Sequence, residues 1–330
     1  MVKNKTISHI QEEQYINYLI LNHTKIGHVR GVLMANYNEM TCTVACNELK
    51  KKIPFAWDLN IYRGCEHGCK YCYAMYSHQY LDSEQYFEDI YVKTNIVEQL
   101  ERQLSSPSWK REVVNIGGVT DSYQPIEAQF KLMPDILRLM IKYKTPCIIS
   151  TKSDLILRDY DLIAELANIT YINVAATITC MDESIRKKIE PNGSKSLDRF
   201  AMLKAFAKTN ASTGLHFMPI IPYLTDSREN VDDLYAHARD AKVGYVLPGT
   251  LYLRGKTRTV FFDFIQQEFP HLYEPLKTLY KKGGADKEYK DQLYLMVNEL
   301  KAKYNLSSSY SKPMKDKMHQ AENVQISLFE

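Results

Sequence analysis

Three cysteines stand within eight positions of one another in "IYRGCEHGCKYCYAMYSHQY" (61–80): Cys65, Cys69 and Cys72. Thiolates are soft donors that hold zinc or iron–sulfur clusters, and metal sites built only of cysteine ordinarily close with four. No fourth cysteine follows, so the trio reads in three ways. A structural zinc needs another ligand, for which His67 within the loop and His78 beyond it are on offer. A four-iron cluster held by three thiolates leaves one iron open to a substrate or cofactor. Buried thiols in a strand-to-helix connection would do no chemistry. Gly64 and Gly68 suit a loop wrapped closely round a cluster, because glycine permits positive φ and close backbone approach.

The surrounding elements decide where such a loop would sit. "WDLNIYRG" (57–64) reads as a strand leading into the cysteines. Further strands rich in Val, Ile and Thr are expected at 112–119, 145–151, 171–179, 213–222 and 244–253. Helical patterns lie between them at 135–144, 197–208 and 229–241. Six strands separated by helices predict a parallel sheet curled into a full or partial barrel, whose working residues gather at the C-terminal strand ends. The cysteine loop, Gly117–Asp121 and Lys152 all fall at such ends. Residues 1–55 read as an N-terminal extension, 56–255 as the barrel, 256–305 as a helical extension and 306–330 as a flexible polar tail. Cys42 and Cys46 could face each other on a helix. They are too few for a second cluster and receive no role.

Bulk properties exclude some classes. A chain of 330 residues, 45% hydrophobic and 25% charged, buries a large core without metal staples. A metal site is therefore expected to serve chemistry. The net charge of +3 permits nucleic acid without demanding it. Seven cysteines, three of them clustered, do not resemble a secreted disulfide framework. No signal-peptide pattern and no apolar run of about 20 residues is present. A cytoplasmic, non-membrane protein is expected.

A Cys-x-x-x-Cys-x-x-Cys loop with an aromatic, Tyr71, before its last cysteine resembles the signature of the radical S-adenosylmethionine superfamily. The resemblance runs through most of residues 56–255. It implies a partial (β/α)6 parallel barrel, and a [4Fe-4S] cluster on Cys65, Cys69 and Cys72 whose open iron is chelated by S-adenosylmethionine. It also implies reductive cleavage of that cofactor to a 5′-deoxyadenosyl radical, and an electron donor such as a flavodoxin or ferredoxin. "NIGGVTD" is similar to the family's glycine-rich segment. On this resemblance Tyr71, Gly117, Gly118, Thr120, Asp121, Lys152 and Glu190 belong to the cofactor site. "TDSYQPIE", "MDESIRKKIEPNGS" and "PIIPYLTD" further resemble the subfamily that includes spore photoproduct lyase, which repairs a thymine-dimer lesion in DNA. That lyase carries a hydrogen-donating cysteine in its second strand-end loop. Here Gly118 lies opposite it, which leaves Cys180 as the substitute donor by position, or else a buried cysteine of no chemical role. Tyr123 and Tyr76 are placed to stack on a base at the barrel mouth.

After the polar tail come Gln325, Ile326, Ser327, Leu328 and Phe329, which resemble the short peptide by which bacterial polymerases and repair proteins bind the replicative sliding clamp. A flexible tether presenting Leu328 and Phe329 to an apolar pocket would serve such docking. A clamp partner would make DNA the substrate. The same radical chemistry on a peptide, RNA or small molecule, and a zinc-stabilised binding module, are the alternatives.

Overall fold

The computed structural model describes residues 35–50, 53–81 and 83–317. Its strands are β1 (Asn36–Met40), β2 (Cys46–Glu48), β3 (Trp57–Leu59), β4 (Tyr62–Arg63), β5 (Asp89–Lys93), β6 (Val114–Ile116), β7 (Cys147–Thr151), β8 (Ile172–Thr177), β9 (Ser212–Ile220) and β10 (Tyr245–Thr250). Among them β3, β6, β7, β8, β9 and β10 pair in chain order, every pair parallel. These are the six strands expected from sequence. β2 adds antiparallel to β3, so β2 and β10 are the edges of an open sheet, as in a partial barrel.

The helices Leu132–Lys142, Tyr160–Ile169, Ser196–Phe206 and Arg228–Asp240 fill the crossovers. Leu132–Lys142 shows why: Met133, Ile136, Leu137 and Met140 recur at helical spacing and are all buried. They meet the outward strand residues Val114, Ile116, Ile149, Val174, Leu215, Phe217 and Val246 in one continuous core. Each such side chain contributes roughly 1.5–3 kcal/mol by leaving water. The opposite face of the sheet is concave and more polar. His216 on β9 reaches over Ala175 of β8 toward Ser150 on β7, Nδ1 to Oγ 3.4 Å, which a flat sheet would not allow.

Three expectations change. Cys46 opens β2 and Cys42 lies in the connection before it, so the two do not share a helix. β1 pairs parallel with β5, and β4 antiparallel with it, giving a second sheet built from part of the expected extension. The polar segment after Leu306 is not free over its described length. Val246 N–H donates to Ser307 O at 2.8 Å, Tyr310 meets Tyr245 edge to face, and Met314 is buried with Val113, Ile148 and Tyr171. That packing plugs the end of the barrel where the strands begin. The helical extension is present as Gly255–Glu268, Tyr273–Leu279 and Lys287–Lys303. Gln325–Phe329 lie outside the described residues. No helix among the described residues is long and apolar enough to cross a membrane.

Candidate active site

The cysteine loop follows β4 and turns on two glycines. Gly64 sits at φ +82°, and a Cβ there would come within 2.7 Å of Asp89 O and 2.9 Å of Tyr86 O. Gly68 sits at φ +67°, with Pro191 Cγ 3.0 Å from where its Cβ would be. The backbone is thus pressed against its supports at both turns. Gly64→Ala is expected to cost about 2–4 kcal/mol from left-handed strain and backbone overlap. A lowered Tm together with reduced iron loading would show it, whereas wild-type loading would mean the turn is not needed.

Cys65 and Cys69 are buried and Cys72 is half-buried, and all three are free thiols. Burial pushes each of them up, Cys69 to about 12, while Lys152 pulls Cys69 and Cys72 back toward the thiolate. A metal held here must displace their protons. Among the described residues no group of three or more His, Cys, Asp and Glu is gathered round a single-ion centre. Neither proposed fourth ligand faces such a centre. His78 turns Nε2 to Asp89 O at 3.0 Å and packs against Tyr86 and Tyr91. His67 Nδ1 lies 3.3 Å from Asp121 Oδ2 and 3.7 Å from Cys65 Sγ. Three soft thiols in one loop, with no fourth donor gathered beside them among the described residues, fit a four-iron cluster with an open iron.

The expected cofactor residues divide into two layers. Gly117, Gly118 and Lys152 are partly exposed and Tyr71 is buried, with the Lys152 ammonium 5.8 Å from the Tyr71 ring centroid. Thr120, Asp121 and Glu190 instead hold the layer in front of them. Thr120 Oγ1 donates to Gly64 O at 2.6 Å. Asp121 accepts from Tyr123 N–H, Thr151 Oγ1 and Lys152 N–H, at 2.8–2.9 Å. Burial pushes its carboxyl up, but His67 and these donors outweigh that and bring it down to about 2. Glu190 is fully enclosed, ion-paired to Arg199 at 2.6 Å and accepting the Tyr71 hydroxyl. Burial raises Glu190, while Arg199, Lys152 and the Tyr71 hydroxyl lower it further, so it stays ionised. It positions Tyr71 and does not itself reach the interior.

Two further expectations are corrected. Tyr123 is fully buried, donates to Asp159 Oδ2 at 3.0 Å, and cannot stack on a base at the mouth. Cys180 is also buried, its thiol turned 3.5 Å from Asp182 O and pushed to about 12 by burial. A thiol so enclosed does not reach a substrate in the barrel. Tyr76 is half-exposed. At Gly118 a Cβ would lie 2.2 Å from Asp58 Oδ1, so the Asp58 carboxylate fills the space that a cysteine side chain there would need.

Several supporting residues have no role evident from sequence, although Gln124 and Asn192 lie in the segments that carry the family resemblance. Gln124 Oε1 accepts from Glu66 N–H at 2.8 Å, and its Nε2 donates to Gly64 O at 3.3 Å. Glu66 Oε2 accepts from Ile126 N–H at 2.7 Å. Asn192 Nδ2 donates to Glu66 O at 2.6 Å, and Lys70 N–H to Ile189 O at 3.0 Å. The segments "SYQPIE" and "EPNG" therefore grip the cysteine loop from two sides. Arg199 binds the second grip, donating to Thr177 O and Ser194 O as well as facing Glu190.

With this geometry in hand, the sequence profile of the radical SAM superfamily matches residues 59–235, more than half of the chain. The chain belongs to the radical SAM superfamily. An uncharacterized protein of Mycobacterium tuberculosis is 33% identical over 297 residues, 87% of each chain. An uncharacterized protein of Methanocaldococcus jannaschii is 29% identical over 253 residues, 76% of this chain and 89% of its own. Among solved structures, spore photoproduct lyase complexed with dinucleoside spore photoproduct has a TM-score of 0.61 at 13% identity, over 84% of this chain and 85% of that one. A mutant of the lyase with bound AdoMet and dinucleoside spore photoproduct has a TM-score of 0.60 at 13% identity, over 86% of each chain. At that identity the likeness is one of fold.

Proposed function

We propose that this radical SAM enzyme acts on DNA, as a lesion-repair or lyase-type activity. The observation that carries the reading is the rim of the barrel. Tyr73, Tyr76 and Tyr80, on the turn of helix after Cys72, are 65%, 50% and 72% exposed. Tyr223 after β9 and Tyr252 after β10 are exposed at the same end of the sheet, beside Arg254 and Lys256. Exposed aromatic rings interleaved with cations are the means by which proteins stack unpaired bases and track phosphates. The lyase fold neighbour crystallised with a dinucleoside photoproduct supports the same class of substrate.

In this reading Cys65, Cys69 and Cys72 hold the four-iron cluster. When bound, cluster and S-adenosylmethionine together supply a one-electron cleavage that yields a carbon radical able to take hydrogen from substrate. The chain's own residues bind and orient. Lys152 offers a cation beside Cys69 and Tyr71, suited to an anionic group of the cofactor. Glu190 and Arg199 lock the Tyr71 ring, and Tyr73 donates its hydroxyl to Gly118 O at the entrance. A base in duplex must be flipped to enter, at a cost of a few kcal/mol that is smaller for damaged DNA. A flavodoxin- or ferredoxin-type donor would reduce the cluster, and the peptide Gln325–Phe329 would dock the enzyme on the sliding clamp. The test is anaerobic turnover with deuterated lesion-bearing oligonucleotides, alone and with clamp. Deuterium in 5′-deoxyadenosine, and clamp binding lost on deleting residues 325–330, are expected. Label transfer only from peptide or small-molecule substrates would contradict the reading.

A further inference from the structure

The concave face of the sheet carries a hydrogen-bond network that the cysteine cradle does not use. One register row across it is Ser150, Ala175, Gly214 and Tyr245, and the next contains Thr177, His216 and Leu247. Gly214 is required because a Cβ there would lie 2.1 Å from Tyr245 Cζ, so the phenol ring lies across β9 in its place. That ring brings the Tyr245 hydroxyl 3.0 Å from Asn173 Nδ2 and 3.0 Å from His216 Nε2.

Two proton arrangements satisfy this chain. With Asn173 Nδ2 toward the phenol, Tyr245 accepts there and gives its own proton to His216 Nε2. With the amide turned over, its otherwise unpartnered Oδ1 accepts the phenol proton and His216 Nε2–H donates to Tyr245. In either arrangement His216 Nδ1 lies on the side of Ser150, 3.4 Å from its hydroxyl. Both residues are partly exposed although their outward neighbours Ile149, Leu215 and Phe217 are completely buried, so the exposure is to the barrel interior. Below them the strand-start end is closed by Val113, Ile148, Tyr171 and Met314. The interior is thus a recess closed at the strand-start end, whose floor presents an imidazole nitrogen and a hydroxyl. Burial, aided by Lys152, brings His216 down to about 4, so at neutral pH the imidazole is uncharged.

We propose that His216 and Ser150, set by Tyr245 and Asn173, form the substrate-reading floor of the barrel and hydrogen-bond the edge of an uncharged base. The assignment rests on the nucleic-acid reading above. Two uncharged hydrogen-bonding groups, the ones in these rows left partly exposed, suit a neutral base edge, and an anion is better served by Lys152.

Binding to the reconstituted holoenzyme tests this with two labelled probes, a short oligothymidylate and an abasic oligomer of the same length. The wild type is expected to prefer the thymidylate by at least about tenfold. His216→Phe should erase about tenfold of that affinity and leave abasic binding within about twofold. His216→Gln, which keeps an N–H donor, should retain most of the preference. Ser150→Ala, which removes only a hydroxyl, should cost about threefold. Equal weakening of both probes by His216→Phe, or no weakening, overturns the floor assignment. Equal wild-type affinity for the two probes overturns it as well while leaving the DNA reading intact. Wild-type binding to neither probe overturns both.

Discussion

A Cys69→Ala protein will fold but hold no four-iron cluster, and its cleavage of S-adenosylmethionine will fall at least about a thousandfold, roughly 4 kcal/mol of barrier. Cys69 is the middle thiol of the loop, packed with Tyr71 in the core under the helical extension. Exchanging one buried thiol for a methyl is a small packing change, typically within about 1–2 kcal/mol. The loop itself is held by Gln124, Thr120 and Asn192 through its backbone, so it keeps its shape without the sulfur. Nor can a neighbour replace the ligand, since His67 is engaged by Asp121 and His78 faces Asp89. Iron analysis, the visible absorption of the cluster and chromatography of 5′-deoxyadenosine check this. Full iron content and cleavage in the variant would remove Cys69 from the ligand set.

Arg199→Met will destabilise the protein by about 3–5 kcal/mol at pH 7, because it leaves the fully buried Glu190 carboxylate without its ion-pair partner. In the wild type the folded-state pKa of Glu190 lies below the ordinary 4.5. Its contribution to stability is therefore present above that value and is lost as pH falls through the folded value. Without Arg199, burial, already the largest single effect, is no longer outweighed and lifts the carboxyl, so the variant's folded state favours the neutral acid more than the wild type does. The deficit should be largest at neutral pH and shrink as pH falls toward about 5. Replacing Glu190 as well, as the double variant Glu190→Met/Arg199→Met, should recover much of the loss. Urea unfolding at the two pH values reads all three outcomes. A deficit that is the same at both, or under about 1 kcal/mol, would show that the pair is not what holds this corner.

The parts legible in sequence were those with a short-range signature. Six Val/Ile-rich runs became the six parallel strands because their outward residues build the main core, and burial selects β-branched residues there. The cysteine loop was legible as a candidate site because three thiols lie on one short loop. β1 was not, since "NYNEM" is mostly exposed and is held by backbone pairing to β5, which leaves no side-chain pattern. The docking of Tyr310 and Met314 was hidden in a polar segment where only those few side chains touch the barrel. Gln124, Arg199 and Asn192 lie roughly 50–130 residues from the loop they support, so no spacing rule connects them to it. Tyr123 and Cys180 show the converse error. Both follow strand ends, but chain position does not fix which way a side chain turns, and both turn inward to backbone or carboxylate partners.

The most direct measurement is anaerobic reconstitution of the wild-type chain with iron and sulfide, followed by reduction in the presence of S-adenosylmethionine. Four irons and four sulfides per chain, an electron paramagnetic resonance signal that changes when S-adenosylmethionine is added, and formation of 5′-deoxyadenosine are predicted. One zinc per chain that iron does not displace, with no cofactor cleavage, would contradict the assignment of Cys65, Cys69 and Cys72 as ligands of a cluster with an open iron.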